Sequence, residues 1–200
     1  MIEIHDITNT IFTSKTYILS KEGCSKAWLV DIGDVEPVLE YLDTNRLVVE
    51  GVFLTHAHFD HIYGLEALVE HFPGCRVYVT EYTKQALASD KLNMSRYHGN
   101  RINYDKDNVV VVHEGESMTL FGEEPRIEFY ETPGHNPGCL TMVIEDKIFT
   151  GDAYIPGVET NTQLPFADKV LTRQSVEFIL KLAEGKKILP GHFVYLQNNN

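Results

Sequence analysis

The stretch Thr55-His56-Ala57-His58-Phe59-Asp60-His61 lies between an apolar strand pattern at Val48–Thr55 and a helix pattern at Ile62–Phe72. In an extended chain, residues two apart point the same way, so His56 and His58 can reach one metal ion. Asp60 and His61 follow where the chain turns into the helix and suit a second ion. By chance this pattern would occur in about one chain in a thousand of this composition. Metal binding is therefore favoured over a polar turn that caps a helix.

Three further segments place one metal-ligand residue directly after a predicted strand. They are Thr132-Pro133-Gly134-His135, Thr150-Gly151-Asp152 and Pro190-Gly191-His192. Each ligand-type residue stands beside a glycine, which lets another backbone approach closely. A single histidine after Pro-Gly is usually a turn residue. Repetition of this arrangement at several strand ends favours one shared metal site instead.

The remaining hydrophobic pattern predicts an α/β fold with mixed β-sheets, because strands, helix, strand and helix are followed by strands, helix and strand. The predicted strands are Glu3–Asp6, Ile11–Phe12, Thr16–Ser20, Ala27–Asp31, Val48–Thr55, Arg76–Thr80, Val109–Val112, Ser117–Phe121, Arg126–Glu131, Leu140–Glu145, Lys147–Thr150 and Lys187–Leu189. Besides Ile62–Phe72, helices are predicted from Asp34 and Pro37 to about Leu42, at Glu81–Ala88, and at Arg173–Glu184 after a Thr172 cap. Residues 89–107 and 153–169 are predicted as long loops, and Asn198-Asn199-Asn200 as a frayed tail.

Length and composition indicate one globular domain over residues 1–200. Hydrophobic residues make up 43% of the chain and charged residues 23%, which excludes a disordered or fibrous protein. No apolar run approaches the ~20 residues of a membrane span, and the N-terminus is not typical of a secretory signal. The net charge of -12 disfavours nucleic acid and anionic membranes as partners. Three cysteines without a C-x-x-C motif are typical of a reducing compartment, so we expect a cytoplasmic location.

In order and in position, the strand-end motifs resemble those of the metallo-β-lactamase-fold hydrolases. Within that family the chain looks most like the small glyoxalase II-type members, the hydroxyacylglutathione hydrolase-like proteins. Supporting matches are Val30-Asp31-Ile32-Gly33, Leu92-Asn93-Met94-Ser95 and Thr132-Pro133-Gly134-His135-Asn136-Pro137-Gly138. The resemblance covers nearly the whole chain and implies a four-layer αβ/βα sandwich of two mixed sheets flanked by helices.

The resemblance also implies a site for two divalent metal ions, zinc in the first place, with iron or manganese as alternatives. His56, His58 and His135 would bind the first ion, and Asp60, His61 and His192 the second. Asp152 would bridge both ions beside a hydroxide, which Asp60 and Asp152 would orient. Asp31 and Thr55 would lie behind the ligands and hold them in position.

A metal-bound hydroxide removes the need for a serine or cysteine nucleophile, and the chain contains no G-x-S-x-G motif. Because a thiolate leaves with little acid assistance, a small thioester or related ester is the expected substrate. The alternative is a persulfide dioxygenase with one iron held at His56, His135 and Asp152. A non-catalytic binding module and a nuclease are further alternatives, disfavoured by the full ligand set and by the negative charge. Asp152 in the third motif, together with His61, argues against the antibiotic-degrading zinc β-lactamases.

Tyr63, His98 and Tyr154 are the candidate substrate-binding residues. Tyr63 stands where close relatives often have glycine, His98 lies in the loop at 89–107, and Tyr154 follows Asp152 closely. The sequence ends eight residues after His192, without the helical domain that holds glutathione in longer glyoxalase II enzymes. We therefore expect no special preference for glutathione thioesters. The sequence does not indicate an oligomeric state.

Overall fold

The computed structural model describes residues 1–122 and 125–193, and the predicted tail at 198–200 lies outside these residues. The strands are β1 (Ile2–Thr8), β2 (Lys15–Lys21), β3 (Lys26–Val30), β4 (Val48–Phe53), β5 (Arg76–Val79), β6 (Val109–Val111), β7 (Ser117–Thr119), β8 (Arg126–Glu131), β9 (Leu140–Ile144), β10 (Lys147–Gly151) and β11 (Lys187–Pro190). The helices are α1 (Val35–Asn45), α2 (Leu65–His71), α3 (Glu81–Leu87) and α4 (Lys169–Leu182), with 3₁₀ turns at Phe59–His61 and Ser95–Tyr97.

The strands form two mixed sheets. The first has the order β1-β2-β3-β4-β5-β6, in which β1, β2 and β3 pair antiparallel and β3 to β6 pair parallel. The second has the order β11-β10-β9-β8-β7, in which β11 and β10 pair parallel and the other neighbours antiparallel. Parallel neighbours direct their carboxyl ends to one edge of a sheet, and this brings strand-end loops together.

Three apolar clusters separate four layers. One packs the first sheet against α1, α2 and α3 and includes Val38, Leu42 and Leu68. The second lies between the two sheets, where the tilted rings of Phe53 and Phe129 pack with centroids 5.7 Å apart. The third packs Ile179 of α4 against the outer face of the second sheet. Helices, sheet, sheet and helix therefore follow one another, and the predicted fold class is confirmed.

Three predicted elements differ from the structure. Ile11–Phe12 is not a strand but part of a turn, in which Phe12 has φ +53°. The helix predicted at Ile62–Phe72 is shorter in the structure, because residues 62–64 form a turn after the 3₁₀ turn at Phe59–His61 and α2 begins only at Leu65. The last helix begins at Lys169 rather than Arg173. Its cap is Asp168, whose carboxylate accepts the Val170 and Leu171 amides, and not Thr172.

The longest helix, α4, has 14 residues, fewer than the ~20 needed to cross a bilayer. Among residues 1–122 and 125–193, no helix combines the length and apolar character of a membrane span.

Candidate metal centre

The seven predicted metal ligands converge at one edge of the sandwich. His56, His58, Asp60 and His61 follow β4 of the first sheet. The second sheet supplies the other three from the ends of β8, β10 and β11, and these are His135, Asp152 and His192. The topology therefore brings together residues that are up to 136 positions apart in the sequence. Their ligand atoms form three overlapping groups, and within each group these atoms lie within 4.8 Å of one another. One group is His56, His58 and His135, another is Asp60, His61 and His192, and the third, His56, His61 and Asp152, shares a residue with each of them.

The first group contains only histidines: His56, His58 and His135. All three side chains are buried, with at most 5% of the residue exposed. His135 Nε2 lies 3.0 Å from His58 Nδ1, and the His56 and His58 rings meet edge to face at 4.6 Å. Burial lowers the pKa of His56 well below its usual value and that of His58 to about 3. These imidazoles are therefore neutral, as metal ligands must be.

The second group contains a carboxylate and two histidines: Asp60, His61 and His192. His61 Nε2 lies 3.3 Å from His192 Nε2 and 3.4 Å from Asp60 Oδ2, and His192 Nε2 lies 3.3 Å from the same oxygen. Although burial lowers the pKa of His61, the carboxylates of Asp60, Asp152 and Asp31 raise it to about 10. This group therefore attracts positive charge strongly.

Asp152 lies between the two groups. Its Oδ2 is 3.5 Å from His135 Nε2 of the first group and 3.2 Å from His192 Nε2 of the second. Its Oδ1 is 3.5 Å from His61 Nε2. Burial raises the pKa of Asp152, but His61 and the neighbouring histidines hold it well below its usual value, so the carboxylate is ionised.

Four of the histidine rings are oriented so that each turns one nitrogen atom, Nε2, toward the centre. The Nδ1 atoms of His56, His61, His135 and His192 each face an oxygen acceptor, at 2.9–3.1 Å. An Nδ1–H that donates to such an acceptor turns Nε2 inward, where a metal ion can bind it after displacing any proton. His56 Nε2 and Asp152 Oδ1 are buried and make no hydrogen bond within the described residues. A divalent cation satisfies these atoms, so the residues present fit a metal centre.

The acceptors behind the histidines are held by their own contacts. Asp31 Oδ2 accepts from His61 Nδ1 at 2.9 Å and from Thr55 Oγ1 at 2.7 Å, while its Oδ1 accepts the Thr55 amide at 2.7 Å. Thr55 Oγ1 in turn lies 3.1 Å from His56 Nδ1. Asp31 adopts a left-handed backbone at φ +56°, which is rare for a residue other than glycine and typical of functional sites. The structure thus places Asp31 and Thr55 directly behind both groups.

Sequence reasoning missed Asn136. Its Nδ2 lies 3.1 Å from His58 Nε2, and its Oδ1 accepts the Gly138 amide at 2.9 Å. The motif Asn136-Pro137-Gly138 was the available signal, because asparagine before Pro-Gly is typical of a turn whose side chain binds nearby backbone. Two other supports are backbone carbonyls, Phe12 O for His192 and Asn161 O for His135, and these carry no side-chain signal.

Two glycines allow the close approach of ligand loops. A Cβ at Gly134, which has φ +148°, would lie 2.4 Å from the Thr172 backbone of α4. A Cβ at Gly191 would lie 2.2 Å from Asp152 Oδ1 and 3.0 Å from His61 Cε1. A side chain at either position would move His135 or the Asp152 carboxylate.

The three candidate substrate-binding residues lie around the centre. The Tyr63 hydroxyl donates to Asp34 Oδ1 at 2.6 Å and is thereby occupied. His98 is exposed and stacks on Phe59, beside Asp60, with ring centroids 4.7 Å apart. Tyr154 is half-buried and lines a cavity of about 720 Å³ between the loop at 153–169 and α4.

Comparisons with known proteins agree with this arrangement. The structure of BLEG-1 B3 metallo-beta-lactamase is similar with a TM-score of 0.85 and 28% identity, over 96% of this chain and 92% of that one. TTHA1623 in a di-iron-bound form has a TM-score of 0.80 and 27% identity, over 95% and 92% of the two chains. ETHE1 from Myxococcus xanthus shares the fold with a TM-score of 0.75, at 20% identity over 98% and 77%. The family model of the metallo-beta-lactamase superfamily matches residues 17–192, and the chain belongs to that superfamily.

Proposed function

We propose that this protein is a binuclear metal-dependent hydrolase of the glyoxalase II-like type, which cleaves a small thioester or ester. The observation that carries the proposal is the pair of adjacent ligand groups with Asp152 between them. Two divalent ions fit these groups. Zinc is the first choice because histidine and aspartate are common zinc ligands, and iron or manganese are alternatives. The similarity to TTHA1623 in a di-iron-bound form supports a two-metal centre.

The residue roles follow from the groups. His56, His58 and His135 would hold one ion, and Asp60, His61 and His192 the other, with Asp152 shared. Asp31 and Thr55 would fix the tautomers of His61 and His56 through their contacts with Nδ1. Such partners keep Nε2 directed at the metal and reduce the rearrangement needed when it binds.

When bound, the two ions supply an activated water and an electrophile for the substrate carbonyl. Asp60 and Asp152 would accept hydrogen bonds from that water and orient it toward the carbonyl carbon. No second general acid is required for a thioester, since a thiol with a pKa near 8.5 leaves as the thiolate. An amide substrate would need a proton donor for its amine.

The two buried cysteines, Cys75 and Cys139, are not candidate nucleophiles for this reaction. Burial raises the pKa of Cys75 to about 12 and that of Cys139 further still. Both thiols are thus protonated and inaccessible near neutral pH. Because Cys24, Cys75 and Cys139 are all free thiols, a reducing compartment, the cytoplasm, remains our proposed location.

The ligand count separates the hydrolase from the persulfide dioxygenase alternative. One iron would need only His56, His135 and Asp152, whereas the structure also directs Asp60, His61 and His192 into the centre. The similarity to ETHE1 from Myxococcus xanthus, at 20% identity, shows the fold alone.

The similarity to BLEG-1 makes β-lactam hydrolysis a second candidate. That protein is described as a B3 metallo-beta-lactamase and matches nearly full length at 28% identity. This likeness runs against the expectation that Asp152 and His61 argue against the antibiotic-degrading zinc β-lactamases. A strained β-lactam ring presents a carbonyl to the same centre as a thioester would.

The deciding experiment combines metal analysis with a substrate panel. Protein purified without chelators is analysed for zinc, iron and manganese, and then assayed with acyl thioesters, lactones, a chromogenic cephalosporin and a persulfide with oxygen monitoring. We expect about two ions per chain and thioester turnover. Oxygen-dependent persulfide oxidation without hydrolysis would overturn the proposal, and cephalosporin cleavage without thioester cleavage would favour the second candidate.

A further inference from the structure

A cavity of about 720 Å³ lies beside the metal centre, between the loop at 153–169 and α4. Its lining is mainly polar and includes Tyr154, Thr160, Asn161, Lys169, Arg173 and Glu177. None of the seven predicted ligands lines it, so it is a separate compartment next to the centre. A cavity of this size can hold a small organic group.

Two contacts join this cavity to His135. The Asn161 carbonyl, from the cavity wall, lies 3.1 Å from His135 Nδ1. The first turns of α4 also rest on the turn that carries His135, because the Asp168 amide donates to the Gly134 carbonyl at 2.8 Å and Ser175 Oγ donates to the Pro133 carbonyl at 2.7 Å. Lys169 and Arg173 lie in the same turns of α4. The part of α4 that carries both cations is therefore attached to the turn that carries His135.

Neither Lys169 nor Arg173 forms an ion pair with any residue that the structure describes. Both are exposed, and they stand one helical turn apart on the same side of α4. Within residues 1–122 and 125–193, no carboxylate oxygen lies within 4 Å of either one, although Glu159 and Glu177 also line the cavity. The nearby Asp168 carboxylate is occupied by the Val170 and Leu171 amides.

The position of Lys169 in the helix adds a second argument. The first turn of α4 contains no acidic residue, although the positive end of the helix dipole favours an anion there and disfavours a cation. The Asp168 cap supplies one anion at this end of the helix, and its carboxylate is held by the Val170 and Leu171 amides. Lys169 and Arg173 remain open to the cavity, where a small anion can contact both.

We propose that this cavity binds a carboxylate of the substrate, with Lys169 and Arg173 as the residues that recognise it. This inference rests on the proposed hydrolase function and narrows its substrate class to thioesters that carry an anionic group. The carboxylate belongs either to the acyl part or to the thiol part of the thioester. Arg173 offers a planar pair of N–H donors, which suits a carboxylate, while Lys169 adds a point charge.

The test uses three matched thioesters with metal-loaded enzyme. Butyryl-N-acetylcysteamine is neutral, succinyl-N-acetylcysteamine carries a carboxylate at the same chain length in the acyl part, and the butyryl thioester of 3-mercaptopropionate carries it in the thiol part. We expect the double variant Lys169→Ala/Arg173→Ala to raise KM about tenfold or more for one or both anionic esters, with kcat and the neutral ester nearly unchanged. Lys181→Ala, an exposed lysine near the other end of α4, is the matched control.

A binding measurement separates this proposal from the proposed function. Calorimetry with the non-hydrolysable thioether analogues of the two anionic compounds reports recognition without turnover. We expect the double variant to lose about tenfold in affinity for at least one of these analogues and Lys181→Ala to lose none. Equal losses for neutral and anionic esters, or unchanged binding of both analogues by the double variant, would overturn the carboxylate site. Absence of all thioester turnover with charge-dependent binding intact would instead refute the hydrolase and leave the anion site standing.

Discussion

The two ligand groups of the centre differ in how their charge is set. In the group of His56, His58 and His135, burial lowers the histidine pKa values and keeps the rings neutral. In the group of Asp60, His61 and His192, carboxylates outweigh burial and raise the pKa values of both histidines. The first group thus offers lone pairs with little charge, and the second offers negative charge. Two ions in such surroundings should differ in how tightly they bind, and this difference can be tested.

Loss of the shared carboxylate should have the largest effect. Asp152→Asn keeps the size of the side chain but removes the charge that both groups face. We expect a thousandfold loss of kcat/KM, as an order of magnitude, and metal content well below that of the unmodified protein. Steady-state kinetics and elemental analysis measure both. Asp146→Asn, an exposed aspartate paired with Lys147, is the control and should change neither. An Asp152→Asn protein with normal turnover and full metal would remove Asp152 from the centre.

Single histidine losses should then distinguish the groups. His58→Ala leaves two neutral histidines and the shared Asp152, whereas His192→Ala leaves one histidine and two carboxylates, since Asp152 is shared with Asp60 there. Both variants should lose about a hundredfold in activity and retain about one ion tightly. His58→Ala should release its more weakly bound ion at a lower chelator concentration than His192→Ala does. Chelator titration followed by elemental analysis gives this order, and the exposed His113 provides the control His113→Ala. The reverse order would contradict the contrast between the groups.

Substitution of Asp31 should weaken metal binding in one ligand group more than in the other. Its Oδ2 holds His61 directly but reaches His56 only through Thr55. In Asp31→Asn, an amide nitrogen can replace an acceptor oxygen, so we expect a 10- to 100-fold loss of metal affinity, concentrated in the group of His61. Competition with a coloured chelator measures this loss. Asp34→Asn is the matched control, because Asp34 accepts from Tyr63 and Thr10 rather than from a ligand. Equal weakening of both ions would show that Asp31 acts on the fold as a whole.

Local sequence predicted much of this architecture. The strand Arg126–Glu131 was predicted to the residue and most other strands to within two, because buried strands alternate or run apolar over short stretches. The convergence of the ligands followed from their common place after strands. The four-layer arrangement itself came from the family resemblance, since periodicity alone does not state how sheets stack.

The errors occurred where distant contacts outweigh local pattern. Ile11–Phe12 alternates like a strand, but the turn is held by His192, which donates to the Phe12 carbonyl from 180 residues away. The start of α4 was placed late because Val170 and Leu171 remain exposed, so its first turn lacks the apolar periodicity of a packed helix. The Asn161 carbonyl behind His135 was equally unpredictable, since any residue provides a backbone oxygen. Sequence thus predicted which ligand-type residues come together better than it predicted the groups that contact them.

The smallest effects we expect come from substitution of Gly134 and Gly191. The first should lower the stability of the fold, and the second should lower the metal content. Gly134→Ala adds a methyl group against the Thr172 backbone at a φ of +148°, so we expect a loss of about 2–4 kcal/mol in the free energy of unfolding. Gly191→Ala instead meets the Asp152 carboxylate and the Gly151 backbone, so it should lower metal content more than stability. Denaturant titration and elemental analysis measure the two effects. Gly74→Ala, with open space around its Cβ, should lie within about 0.5 kcal/mol of the unmodified protein. If Gly191→Ala retained full metal while losing as much stability as Gly134→Ala, the close approach at Gly191 would serve packing alone.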